Sequence, residues 1–208
     1  MSLAVKEKTE VRLAFLGGAA VGKTALIKRF LQDTFDTKHR RTVEELHSKE
    51  YEVGGVKVTI HIMDTSGSYS FPAMRKLSIQ QSDAFALVYA VDDPESLEAV
   101  KTLREEILEV KEDKCPPIVV VANKSDLCHE RQVSSSDMVS TVERDWNHSY
   151  LEASAKENTN VLEVFRELLE QANLPSRLSP ALCRRRETFP KSSTNRPPMN
   201  KANSCLIC

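Results

Sequence analysis

The sequence predicts an α/β fold: a mostly parallel six-stranded sheet with one antiparallel edge strand and helices on both faces. Three observations carry that prediction. Strand-like apolar runs alternate with helical patterns along most of the chain. Residues 84–91 and 118–122 are continuously apolar, as strands buried on both faces of a parallel sheet must be. The loop Gly17-Gly18-Ala19-Ala20-Val21-Gly22-Lys23-Thr24 stands between an apolar run at 11–16 and a helical pattern opening at Ala25.

Taken in order, residues 1–10 read as a short flexible lead, and the first strand, glycine-rich loop and first helix run to about Gln32. Residues 33–41 are polar and aperiodic and form a loop. Strands are predicted over 46–53 and 56–63, joined by Gly54-Gly55, a tight-hairpin signal that makes this pair antiparallel. In the second of them Val56, Val58, Ile60 and Ile62 share one face. A short helix follows over 72–80. The next long helix places Leu97, Val100, Leu103, Ile107 and Val110 on one stripe. A further helix is predicted over 136–146, a last strand over 150–152, and a final helix marked by Val161, Val164, Phe165, Leu168 and Leu169. The expected domain covers 11–173. From Leu174 onward Pro, Ser, Asn and Arg dominate, and 174–208 read as a disordered basic tail.

Composition narrows the classes. Apolar residues make up 40% and charged residues 28% of 208, enough for an ordinary core. The net charge of −1 argues against a nucleic-acid partner. Residues 1–10 are charged and lack the apolar stretch of a signal peptide, and no run approaches a membrane span. Five cysteines in a chain of this size do not make a disulfide framework, so a reducing cytosol is expected. Cys115 and Cys128 flank a strand and read as structural, Trp146 as packing at a helix end, and the histidines lack metal spacing.

The loop at 17–24 has the G-x-x-x-x-G-K-[ST] pattern in the strand-to-helix setting it requires. Its backbone N–H groups and the helix N-terminus together favour an anion. Lys23 is placed to reach the outer phosphates of a nucleotide and Thr24 to offer its hydroxyl to Mg²⁺. Such a loop serves ATPases, kinases and GTPases alike. Asn123-Lys124-Ser125-Asp126, directly after a buried strand, separates them. A carboxylate there accepts the ring and exocyclic N–H groups of guanine, whereas adenine presents no such pair and leaves it unpaired. Glu152-Ala153-Ser154-Ala155-Lys156 adds a backbone N–H on the side of the guanine carbonyl.

With these motifs in order (G-x-x-x-x-G-K-T, T, D-x-x-G, N-K-x-D, S-A-K), the chain resembles the Ras superfamily of small GTPases over about residues 10–172. Asp64-Thr65-Ser66-Gly67 with Phe71-Pro72-Ala73-Met74-Arg75 is similar to the dexamethasone-induced Ras and Rhes group. Arg40-Arg41-Thr42-Val43-Glu44-Glu45 adds a resemblance to the Ras-dva proteins. The resemblance implies the P-loop small GTPase fold and a signalling switch that binds GTP or GDP with Mg²⁺. By matched position, Gly17, Gly18, Ala19, Ala20, Val21, Gly22, Lys23 and Thr24 hold the phosphates. Asn123, Lys124, Asp126, Ser154, Ala155 and Lys156 hold the base, with Phe35 packed against it. Thr24 and Thr42 ligate Mg²⁺, and Asp64 holds it through a water. Lys23 reaches the β- and γ-phosphates and Gly67 gives its N–H to the γ-phosphate. Thr42 and Gly67 lock their loops while that phosphate is present and release them after hydrolysis.

Three departures bear on turnover. Ser68 stands where the family has the glutamine that orients water, Ser66 replaces an alanine, and Ala19 replaces a glycine. Weak intrinsic hydrolysis is therefore expected, the alternative being a GTP-binding scaffold that hardly hydrolyses at all. The implied partners are an exchange factor, a GTPase-activating protein and effectors acting on a monomer. The effector segment departs from Ras at Glu45, Leu46 and His47.

Cys205-Leu206-Ile207-Cys208 fits the C-a-a-X pattern, so a prenyltransferase is an expected partner and Cys205 the lipidated residue. Arg184-Arg185-Arg186 and a possible palmitate on Cys183 would add the second signal that stable anchoring needs. The expected location is the cytoplasmic face of the plasma membrane, against its anionic surface.

Overall fold

The computed structural model describes residues 10–38, 42–53, 56–67, 72–112 and 115–172. Six strands form one sheet: β1 (Glu10–Gly17), β2 (Glu45–Val53), β3 (Val56–Asp64), β4 (Ala84–Ala90), β5 (Ile118–Asn123) and β6 (Ser149–Glu152). Their spatial order is β2-β3-β1-β4-β5-β6. Every adjacent pair is parallel except β2 with β3, which run antiparallel from Glu45↔Asp64 to Val53↔Val56. The predicted fold class is observed, with β2 as the antiparallel edge. The Gly54-Gly55 turn itself lies outside the described residues.

Helices are α1 (Lys23–Gln32), α2 (Pro72–Gln81), α3 (Pro94–Lys111), α4 (Ser135–Val139) and α5 (Val161–Gln171). α3 starts at Asp93, whose carboxylate accepts from the Glu95 and Ser96 N–H groups at 3.0 and 3.3 Å, with Pro94 in the first turn. Among the described residues no helix is long and apolar enough to cross a membrane.

All residues of β4 and β5 are buried, as their continuous apolar runs required. On one sheet face α3 lays Val100, Leu103 and Ile107 into the core, with Leu97 and Val110 partly buried beside them. On the other, Phe165 of α5 stacks on Phe30 of α1 at 3.7 Å and packs on Phe15 of β1 at 5.1 Å. The fully buried side chains among these, such as Phe15, Phe165, Val100 and Ile107, contribute about 1.5–3 kcal/mol each. Val58, Ile60 and Ile62 are buried together, in agreement with the period-2 reading of β3.

The helix expected over 136–146 differs. It is α-helical only to Val139, and Ser140–Asp145 is π-helical, with the Trp146 N–H bonded to the Thr141 carbonyl at 3.0 Å. The wider turn keeps Val142 buried while Trp146 packs against the core under the Arg104 guanidinium, 5.0 Å from its ring. Cys115 and Cys128, expected to be structural, are both exposed.

The sheet order determines where the site forms. β1 is central, and the chain runs from it first toward β3 and later toward β4, so the crossovers diverge at its carboxyl end. Parallel β1, β3, β5 and β6 all end on that edge. Each is followed there by one of the sequence motifs: the loop after Gly17, Asp64–Gly67, Asn123–Asp126 and Ser154–Lys156.

Candidate nucleotide site

The glycine-rich loop turns at Gly22, which adopts φ 95° as the N-cap of α1 and makes no side-chain cap bond. A Cβ at Gly22 would lie 2.2 Å from the Asn123 amide nitrogen, so conformation and space both demand glycine. The first turn of α1 carries no acidic residue, leaving its N–H groups open to an anion. Lys23 is 5% exposed, and its ammonium donates to the Gly17 and Gly18 carbonyls at 2.9 and 2.7 Å. Burial pushes it down to about 8, partly opposed by the Asp64 carboxylate. A cleft of about 340 Å³ opens above, lined by Ala19, Ala20, Gly22, Lys23, Thr24, Thr42, Ser66 and Gly67, with Lys28, Asp36 and Lys38 at its rim.

Beside this cradle the Thr24 and Thr42 hydroxyl oxygens lie 2.8 Å apart, although 18 residues separate them in the chain. Asp64 is fully buried, and the Thr24 hydroxyl approaches its carboxylate without making a well-formed hydrogen bond to either oxygen. Burial pushes its carboxyl up, while the Thr24 hydroxyl and the Lys23 ammonium favour the ionised form. Two hydroxyls beside a buried carboxylate, three hard oxygen-donor groups in all, suit Mg²⁺. Two ligands at about 2.1 Å and a right angle would be about 3.0 Å apart, near the observed hydroxyl spacing. The residues present fit the ion.

Thr65 anchors the segment after β3 by donating to the Phe15 carbonyl at 2.6 Å. Gly67 then presses on the phosphate loop: a Cβ there would lie 2.4 Å from Ala19 Cα and 2.5 Å from the Gly18 carbonyl oxygen. Only glycine permits this approach.

At the other end of the cradle, Asn123 is 2% exposed and ties three motifs together. Its amide donates to the Val21 carbonyl at 2.8 Å, and its oxygen accepts from the Ala155 N–H at 3.2 Å. The Ala155 N–H of the 152–156 motif is thus engaged by Asn123. Lys124 takes φ 65° and pairs with Asp92 at 3.1 Å. The Ser154 hydroxyl donates to Asp126 Oδ1 at 2.6 Å, and Lys156 Nζ lies 3.6 Å from Oδ2. The carboxylate is thus oriented by side chains of the following motif.

Phe35 does not line the cleft; it is half-buried, its ring 5.9 Å from the Arg29 guanidinium. Ser68 and Cys205 lie outside the described residues. Sequence reasoning missed Arg29, Asp92 and the orienting role of Ser154. Arg29 reads locally as a solvated helix cation, and its partners are 126 and 127 residues away.

Residues 12–174 match the sequence model of the Ras family. The chain is 42% identical over 195 residues to the GTP-binding protein Rhes of Homo sapiens, covering 88% of this chain and 73% of that protein. To the GTP-binding protein Di-Ras2 of Mus musculus it is 39% identical over 165 residues, covering 79% and 82% respectively. Motif order, strand order and these relationships agree: the chain belongs to the Ras family.

Proposed function

We propose that this protein is a signalling switch that binds GTP and GDP, hydrolyses GTP slowly by itself, and is held at a membrane by lipid. The observation that carries the reading is the corner where the Thr24 and Thr42 hydroxyls meet at 2.8 Å beside the buried carboxylate of Asp64. Two hydroxyls brought beside a buried carboxylate form a donor set suited to a hard cation. In the proposed layout residues 11–173 are the nucleotide-binding domain; the lead expected over 1–10 and the basic tail over 174–208 lie outside the described residues, except Glu10, which belongs to β1.

Gly17 to Thr24 wrap the phosphates, with Lys23 exchanging its two backbone carbonyls for phosphate oxygens. Thr24 and Thr42 would ligate Mg²⁺, with Asp64 holding it through a water. When bound, the ion neutralises charge on the phosphates. Gly67 offers its N–H to the γ-phosphate, and loss of that phosphate frees both Thr42 and Gly67, an order–disorder switch. Asn123, Lys124, Asp126, Ser154, Ala155 and Lys156 select guanine, and Phe35 covers it. Ser68 is too short to orient water as glutamine does, so an activating protein supplies what is missing, including an arginine. Exchange factor and effectors complete the cycle of a monomeric switch.

Single-turnover hydrolysis of preloaded GTP, with and without cell extract as a source of activating protein, tests this directly. Slow turnover alone and faster turnover with extract is the expected outcome. Complete retention of GTP in both would favour a non-hydrolysing scaffold, a reading that Ser66, set in the cleft wall beside Gly67, keeps in view.

Prenylation of Cys205 by a prenyltransferase, with Arg184-Arg185-Arg186 against anionic lipid, would hold the protein at the cytoplasmic face of the plasma membrane. One prenyl chain binds only marginally, and basic residues near the surface add about 1 kcal/mol each. Cys205→Ser is expected to move the protein to the soluble fraction. Charge reversal at 184–186 should weaken attachment without abolishing it. Membrane residence of Cys205→Ser on fractionation would rule the C-a-a-X assignment out.

A further inference from the structure

Arg29 lies in the last turn of α1, and a cation there suits the helix's carboxyl end: one guanidinium nitrogen donates to the Asp33 carbonyl at 3.1 Å. That local bond does not account for the rest of the side chain. The Arg29 Nε donates to the Ala155 carbonyl at 2.9 Å, and a terminal nitrogen donates to the Lys156 carbonyl at the same distance. Two consecutive carbonyls of one loop are therefore gripped by one rigid fork, which lysine cannot reproduce. The side chain is 15% exposed; its charge-assisted bond to Ala155 is partly buried, and the one to Lys156 lies at the surface. Asn158 repeats the link by donating to the Asp33 carboxylate at 3.2 Å.

The loop's own ties are the reciprocal Ser154–Thr159 backbone bonds, the Ala155 N–H bond to Asn123 and the Glu157 N–H bond to the Ser154 hydroxyl at 3.0 Å. Besides the Ala155 bond to Asn123, Arg29 adds two bonds that join residues 155 and 156 to a distant element. The loop carries Ser154 and Lys156, the two groups that orient the Asp126 carboxylate. The same guanidinium lies 5.9 Å from the Phe35 ring centroid and is absent from the lining of the phosphate cleft.

We propose that Arg29 is a positioning residue of the base site: by clamping the Ala155 and Lys156 carbonyls to the end of α1, it sets how long a guanine nucleotide stays bound. This rests on the guanine-nucleotide reading above. Arg29 acts through the loop and through Asp126, and has no part in handling the phosphates.

The test is release of fluorescent GDP and fluorescent IDP from the full-length, Mg²⁺-loaded chain, chased with excess unlabelled nucleotide. IDP lacks the exocyclic amine and so uses only part of what Asp126 offers. Arg29→Met is expected to accelerate GDP release by roughly ten- to a hundredfold, as loss of bonds to a charged donor implies. IDP release should accelerate by less, because a disoriented Asp126 costs it less. Arg29→Lys, which keeps charge and stem and spares the fold, should fall between wild type and Arg29→Met. Release within twofold of wild type in both variants, or equal acceleration of GDP and IDP, would overturn the proposal. A wild-type chain that holds no GDP would overturn the nucleotide reading itself, which separates that failure from one confined to Arg29.

Discussion

Asp126→Asn is expected to weaken GTP binding by roughly 10²–10⁴-fold. The carboxylate is presented by the Ser154 hydroxyl at 2.6 Å, leaving its remaining capacity for two N–H groups of guanine. Bonds to a charged group contribute about 1.5–3 kcal/mol each, so two of them are worth roughly 3–6 kcal/mol. The Lys156 contact at 3.6 Å is exposed on the lysine side, and its loss adds little. An amide in the same place accepts one of the two donors and turns an N–H₂ toward the other. It should therefore favour xanthosine nucleotides, which carry a carbonyl at that edge. Equilibrium titration with fluorescent GDP and xanthosine diphosphate measures both effects, and unchanged GDP affinity would remove the guanine assignment.

Gly67→Ala should separate binding from turnover. Every atom that a Cβ would strike is backbone of the phosphate loop, within 2.5 Å, so no side chain can swing aside. Lys23 and Asn123 hold that loop through the Gly17, Gly18 and Val21 carbonyls. The segment after β3 is then the part that must withdraw, taking its N–H away from the γ-phosphate position. Loss of one preorganised donor of this kind costs on the order of 10²-fold in rate. GDP, which has no γ-phosphate, should bind within a few-fold of wild type. Single-turnover hydrolysis alongside GDP titration decides the matter. Wild-type turnover would mean that Gly67 closure plays no part in the reaction.

The motif residues were legible because each is local. Gly17 to Thr24, Asp64 to Gly67 and Asn123 to Asp126 are short runs whose residue types carry their chemistry, and each follows a strand whose apolar pattern is equally local. The six strands and the β2–β3 antiparallel pair followed from the same periodicities. The π-helical turn at Ser140–Asp145 did not, because helical spacing alone cannot distinguish one turn width from another; the choice rests on how Val142 and Trp146 pack.

By itself, then, the sequence determined the strands, most of the helices and the short motifs that follow the strands. Only the tertiary structure decided how those motifs brace one another. The Thr24–Thr42 approach, the engagement of the Ala155 N–H by Asn123, the turning of Asp126 by Ser154 and the grip of Arg29 on Ala155 and Lys156 each join distant segments. Such contacts are created when strand order and helix packing bring separate loops to one edge. No residue's own neighbours in the chain encode them, since hydrogen bonds depend on angstrom-scale distances that the packed core imposes.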